Sequence, residues 1–191
     1  MPPLVQGEVP ADESSEPHET PDGLPSSGAP RVLVVSLAGV HLAIPAALAA
    51  GVVRPGPVTP VPGPEPWVLG VTAVRGRVLP VVDVRRLAGL GPAEGAEEAA
   101  GDASGAWFVV IDDGRRAAVL AGMRVRRVAA CVADRDAEPA GAAAAAGLPT
   151  CGVARLEGEN SRGADALPPT APLLDVAALL DLVHDPTGAQ P

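Results

Sequence analysis

The sequence predicts a mainly β fold of small barrels, closed by one short helix near the C-terminus. Three observations carry that class. Valine recurs in short runs bounded by glycine, proline and aspartate, a pattern that favours strands. Large aromatics are almost absent: Trp67, Trp107 and Phe108 are the whole set, so valine, leucine and alanine must fill the interior. A helical apolar stripe occurs in one place, VAALLDLV, where Val176, Leu179, Leu180 and Val183 share a face behind the capping residue Asp175.

Residues 1–30 hold seven prolines with serine, glycine and six acids, and are expected to be a disordered tail. Order is expected from Arg31. RVLVVSL at 31–37 reads as a strand, Ala38-Gly39 as a turn, and VHLAI at 40–44 as the returning strand. AALAA at 46–50 suits a single helical turn or a short helix, and 52–54 another short strand. Prolines at 55, 57, 60, 62, 64 and 66 then forbid a helix and disfavour a central strand, so a rigid crossing leads to Trp67.

The segment VLGVTAVRGRVLPVVDV, 68–84, is two apolar strands, 68–74 and 78–84, meeting at Arg75-Gly76-Arg77. Glycine at such a turn supplies the positive φ that hairpins prefer. VRRLAGL after Asp83 suits a short helix, and 89–105 a flexible acidic loop of small residues. Further strands are expected at 106–111, 115–121, 123–132, 151–157 and 171–175. Val125 and Val128 break strict alternation in the third of these. The helix after Asp175 completes a single domain over 31–185, and 186–191 fray.

The halves 31–90 and 106–184 echo each other. Each opens with strand–turn–strand, and LPVVDVRRLAGL in one answers APLLDVAALLDL in the other. Two similar subdomains, or matched corners of one domain, would explain the echo. Small side chains throughout imply that neither half holds much core alone.

Composition excludes several functions. Net charge is -9, of which the tail accounts for -6, so the remainder has no general attraction for nucleic acid or anionic lipid. All 14 basic residues are arginine, and pairs such as Arg126-Arg127 lack the interleaved aromatics of a nucleic-acid surface. No apolar stretch is long enough to span a bilayer, and no signal-peptide pattern opens the chain. A soluble cytoplasmic protein is expected. Cys131 and Cys151 are read as buried free thiols, and His41 as a strand residue. No metal-ligand spacing, phosphate loop or nucleophile–base pattern is visible, so neither cofactor nor catalysis is expected. Asp83 and Asp175 are explained as helix caps.

Residues 31–184 resemble the chemotaxis coupling-protein family, the CheW-like domain. The resemblance centres on GVTAVRGRVLPVVDVR at 70–85, where Gly70, Val71, Arg75, Gly76, Pro80, Val81, Asp83 and Arg85 match the family pattern. VHLAIP, the proline crossing before Trp67 and PLLDVAALL add weaker similarities. The resemblance implies two intertwined small SH3-like β-barrel subdomains. It also implies a non-catalytic cytoplasmic adaptor, monomeric when isolated and recruited to membrane-associated receptor arrays. Its partners would be the regulatory domain of a chemotaxis-type histidine kinase and the cytoplasmic tip of chemoreceptors. Arg75, Val74, Arg77, Val71, Leu79 and Trp67 are the partner-facing residues so implied, with Trp67 alternatively a plug in the crevice. Gly70, Gly76, Pro80, Asp83 and Asp175 would set the local geometry. Two acids common in the family are missing, one in the segment matching Ala50-Gly51-Val52 and one near Ala121-Gly122. A divergent paralogue that binds only receptor or only kinase, in a specialised or non-motility pathway, is therefore the alternative.

Overall fold

A computed structural model describes residues 29–63, 65–90, 107–138, 147–157 and 167–185. The expected tail, most of the loop at 89–105 and the C-terminal end lie outside the described residues. Ten strands and two helices follow in order: β1 (Arg31–Leu37), β2 (Val40–Pro45), β3 (Ala49–Val53), β4 (Val68–Val74), β5 (Arg77–Asp83), α1 (Val84–Leu87), β6 (Phe108–Asp112), β7 (Ala117–Ala121), β8 (Arg124–Asp134), β9 (Thr150–Leu156), β10 (Thr170–Leu174) and α2 (Val176–His184).

The strands form two subdomains. One is a closed barrel in the order β1-β2-β10-β9-β8. The other is a five-stranded sheet in the order β3-β6-β7-β5-β4. Neither is one half of the chain. The first half gives β1 and β2 to the barrel and β3, β4 and β5 to the sheet; the second half does the converse. The sequence echo is thus a repeat whose two copies exchange strands.

The registers confirm the repeat. β5 runs parallel to β7 with Val81 beside Val119, and β10 runs parallel to β2 with Leu173 beside Ala43. Val71 faces Pro80 in the sheet, and Val153 faces Pro172 in the barrel. Gly51 faces Val110 and Ala49 faces Ile111, skipping Ala50; Arg127 faces Val34 and Val125 faces Val35, skipping Arg126. Each copy therefore has a β-bulge at the same place. The bulge explains why Val125 and Val128 depart from alternation.

The repeats close differently. β8 is one 11-residue strand that pairs with β1 and then with β9. Its counterpart β3 stops at Val53, where prolines begin. Among the described residues, Thr59 alone continues the pairing: its N–H donates to the Val71 carbonyl at 2.8 Å, and the Val71 N–H donates back at 2.9 Å. Proline cannot supply the missing N–H groups, so one subdomain is a sheet with a single closing bridge rather than a second full barrel.

Burial follows from that layering. On β1, Val32 and Val34 face the barrel interior while Leu33, Val35 and Leu37 face the other subdomain. On β6, Phe108 and Val110 face inside the sheet while Val109 and Ile111 face the shared core. Strands buried on both faces need the near-continuous apolar runs that the sequence shows. The shared core also takes Trp67, Met123 and, from α2, Val176, Leu179 and Leu180. Ala43, Ala129, Ala154 and Ala171 fill the narrow barrel interior.

One local expectation is corrected. AALAA does not form a helix: residues 46–48 make a turn, in which the Leu48 N–H reaches the Pro45 carbonyl at 2.9 Å, and β3 starts at Ala49. Alanine's helix propensity yields to the ladder with β6.

Candidate partner-binding surface

The β4–β5 hairpin is built by a two-residue turn. Val74 pairs with Arg77, leaving Arg75 at φ 48° and Gly76 at φ 79°. Two successive positive φ values define the hairpin turn whose twist matches the flanking strands. Arg77 is thus the first residue of β5 rather than part of the turn.

Period-two alternation sorts the hairpin's side chains. Val74, Leu79 and Val81 turn into the sheet's own core with Phe108 and Val119. Val71, Ala73, Val78 and Pro80 occupy the opposite face. Val78 is 70% exposed, Ala73 is exposed, and Val71 and Pro80 are half-buried. No charge interrupts that face.

This placement corrects part of the expected set. Trp67 is only 9% exposed and Leu79 only 5%, so both are core side chains and offer no contact surface. Val74 is partly buried against the sheet core. Val71 is half-buried on the outward face, whereas Arg75 and Arg77 are exposed at the hairpin tip, Arg77 on the same face as Val74 and Leu79. Ala73 and Val78 were missed, although alternation from Leu79 would have placed them outside. The signal was the Val71–Ala73 and Val78–Pro80 spacing in two paired strands.

The structural residues have explicit work. Gly70 has φ 142°, and a Cβ there would run into the Thr59 carbonyl. Gly152 on β9 has φ 113° and faces the Asp134 carbonyl in the same way. Pro80 costs β4 no hydrogen bond. Val71 directs both backbone groups at Thr59, so Val71 and Pro80 form a non-hydrogen-bonded pair. The Asp83 carboxylate accepts from the N–H groups of Arg85 at 2.9 Å and Arg86 at 3.2 Å, and Asp175 from that of Ala178 at 3.0 Å. Gly122, at φ 82°, leaves room for the Asp83 carboxylate and the Arg85 stem.

Charges ring the hairpin. Arg77 Nη1 donates to Asp112 Oδ2 at 2.7 Å, and that bond holds the Asp112 carboxyl below its usual range, helped by the Gly114 N–H. Arg116 bridges Asp113 and Asp181, tying the β6–β7 turn to α2. The Arg54 guanidinium stacks over Trp107, 5.9 Å from the ring centre. Arg75 reaches across to β3, where its Nη2 lies 3.4 Å from the place a Gly51 Cβ would occupy.

The repeat provides an internal control. The positions matching Ala73 and Val78 in the barrel are Arg155 and Thr170, which face each other in the same register and are both exposed. The fold therefore tolerates polar side chains at these positions, and the apolar pair on the hairpin is not a demand of packing. The barrel has its own apolar stripe on β8, where Val128 is 48% and Val132 55% exposed.

Among the described residues no three His, Cys, Asp or Glu side chains gather as metal ligands. Burial pushes both thiols up: Cys131 contacts the Pro30 carbonyl and Cys151 the Leu174 carbonyl. A raised thiol is a poor nucleophile at neutral pH. No described helix is long and apolar enough to cross a membrane.

Comparison with known proteins places this architecture. The family model of the CheW-like domain matches residues 31–184. The chain belongs to the CheW-like domain family. Among solved structures, it resembles the crystal structure of the scaffolding protein TtCheW from Thermoanaerobacter tengcongensis, with a TM-score of 0.58 and 16% identity over 81% of this chain and 89% of that one. At that identity the likeness is one of fold. A search of curated proteins returned no match. The CheW-like fold of two β subdomains is thus reached independently from register and from comparison.

Proposed function

We propose that this CheW-like chain is a non-catalytic chemosensory adaptor that couples chemoreceptor signalling tips to the regulatory domain of a chemotaxis-type histidine kinase. The observation that carries the reading is the uncharged outward face of the β4–β5 hairpin, set against its polar counterpart in the barrel. Exposed apolar side chains that packing does not require mark a surface kept for a partner. An adaptor needs two such surfaces, and the Val128–Val132 stripe supplies a second on the other subdomain. Coupling then arises because the two partners, held on one shared core, favour the same arrangement of the subdomains.

The test transplants the barrel's residues onto the hairpin. The double variant Ala73→Arg, Val78→Thr should fold normally, because surface changes of this kind stay within about 0.5 kcal/mol. Calorimetry should show affinity for one partner falling by at least about tenfold, the scale of an interface hot spot. Unchanged binding of both partners would remove the hairpin from the interface. Wild-type binding to one partner alone would favour the specialised paralogue over the bridging adaptor.

A further inference from the structure

The outward face of the barrel is only partly covered. On β1, Leu33 and Val35 pack against the other subdomain. Beyond them the face is open along β8, where Val128 and Val132 are exposed with Ala130 half-buried between them. Arg31, exposed, pairs with Ala130 and borders this stripe on the β1 side. The repeat shows that the fold does not force the opening. The positions matching Ala130 and Arg31 in the sheet are Arg54 and Trp107, and there the guanidinium and the indole cover each other.

The charge around the stripe is one-sided. The five strands of the barrel carry five arginines and one acid, Asp134, whereas those of the sheet carry Arg77 against Asp83 and Asp112. On the β9 side Arg155 and Glu157 offset each other. Arg31 and Arg124, both exposed, take part in no described ion pair, and the buried Nε of Arg127 has no partner.

The chain supplies an occupant of matching chemistry. The residues before Ala29 lie outside the described ones, but their exit is fixed: the Pro30 carbonyl accepts from the Cys131 N–H at 2.9 Å, so the preceding segment leaves beside Val132. Residues 1–28 hold six acids and no arginine, and 19–25, ETPDGLP, set Glu19 and Asp22 next to Leu24 and Pro25. Ser26, Ser27 and Gly28 between them and Ala29 suit a reversal of the chain. The six residues from Leu24 to Ala29 reach about 20 Å when extended, against about 13 Å from Val128 to Val132. A tethered segment acts at a high effective concentration, so a short apolar contact and two charges are enough to hold it.

We propose that residues 19–25 of this chain dock on the outward face of β8, with Leu24 and Pro25 over Val128 and Val132 and the two acids toward Arg31, Arg124 and Arg127. The segment shields this surface until a partner displaces it, and the shielding rests on the adaptor reading given above.

Backbone amide spectra of the full chain test the docking. Glu19→Arg with Asp22→Arg, and separately Leu24→Asp, should move the signals of residues 128–132, and high salt should move those of wild type the same way. Glu8→Arg with Asp12→Arg makes the same charge change elsewhere and should leave them in place. Adding Arg31→Glu and Arg124→Glu to the first variant should restore the wild-type positions. Calorimetry should then show the partner of this face binding the first variant about three- to tenfold more tightly than wild type, the gain expected when a third to a tenth of the molecules are open. Signals unmoved by the first variant and Leu24→Asp, or moved equally by Glu8→Arg with Asp12→Arg, would overturn the docking. Signals that shift with protein concentration instead would assign the face to a second copy and overturn it too. Moved signals with unchanged affinity for a partner that binds would overturn the shielding. If neither the kinase regulatory domain nor the receptor tip binds any variant, the adaptor reading and the shielding fall, while the spectra still decide the docking.

Discussion

Glycines 51 and 70 show how one residue type serves two unrelated ends. Gly70 is held by geometry. Its φ of 142° and the carbonyl of Thr59 leave no place for a Cβ, and the bridge at Thr59 is what closes the sheet. Gly51 has ordinary backbone and a neighbour that can move. Gly70→Ala should therefore destabilise the protein by about 2–3 kcal/mol, from strain and overpacking together. Gly51→Ala should change stability by less than about 0.5 kcal/mol. Urea denaturation of the two variants checks the contrast, and similar losses at both positions would contradict it. In the sequence the glycine–valine pair was legible as motif, but the distinction was not. It depends on a carbonyl eleven positions away, brought in by a segment whose prolines hide its strand character. Trp67 is the opposite case. Its place after the proline run suited a plug in the crevice better than an exposed anchor, and in the structure it is buried in the shared core.

Elements were legible where one face or both are buried against regular partners. The alternation in β4 and β5 and the continuous runs of β1, β6 and β7 all reflect layers that the structure contains. β3 was obscured because five small residues hold little pattern, and its bulge shifts what pattern there is. The matching bulge in β8 has a chemical consequence. It sets the charge of Arg126 near His41 on β2, and burial together with that charge lowers the His41 pKa. The sign follows directly. A histidine whose folded pKa lies below the unfolded value of about 6.5 binds its proton more readily in the unfolded chain, so stability falls as pH drops below that value. The loss levels off once pH passes the folded pKa. His41→Gln should remove this dependence while leaving the carboxylate-driven loss, which sets in only as pH falls below the ordinary aspartate range and Asp112 and Asp113 are protonated out of the bonds that depress them. Denaturation midpoints between pH 7.5 and 5.5 check it: wild type should lose stability over that range and the variant should not.

At the scale of the molecule, the repeat copies exchange strands, and this decides what can fold alone. The first half holds β1 and β2 of the barrel and β3, β4 and β5 of the sheet, but completes neither subdomain. Its Leu33, Val35 and Ile44 are covered by Val109, Ile111 and Leu120 from the other half, and by α2. The echo of LPVVD and APLLD was enough to predict two related units. It was silent on the exchange, because the same local pattern fits separate or intertwined copies and the pairings of β1 with β8, β3 with β6, β5 with β7 and β2 with β10 tell them apart. An exchanged arrangement predicts mutual dependence. Cleavage at a protease site placed between residues 91 and 106 should not release either half, since two ladders in each subdomain, β1–β8 and β2–β10 in the barrel and β3–β6 and β5–β7 in the sheet, would still join the two pieces. The nicked protein should elute at the volume of the intact chain and melt as one cooperative unit. Each half made separately should be unfolded by circular dichroism, while the two mixed should recover the intact spectrum. Separation of the halves after cutting would mean that each carries its own core, contrary to the layering of apolar residues along β1 and β6. The same dependence serves an adaptor well. Under the proposed reading, partners docked on the two subdomains would be linked through the shared core and through the chain crossings from β2 to β3 and from β7 to β8.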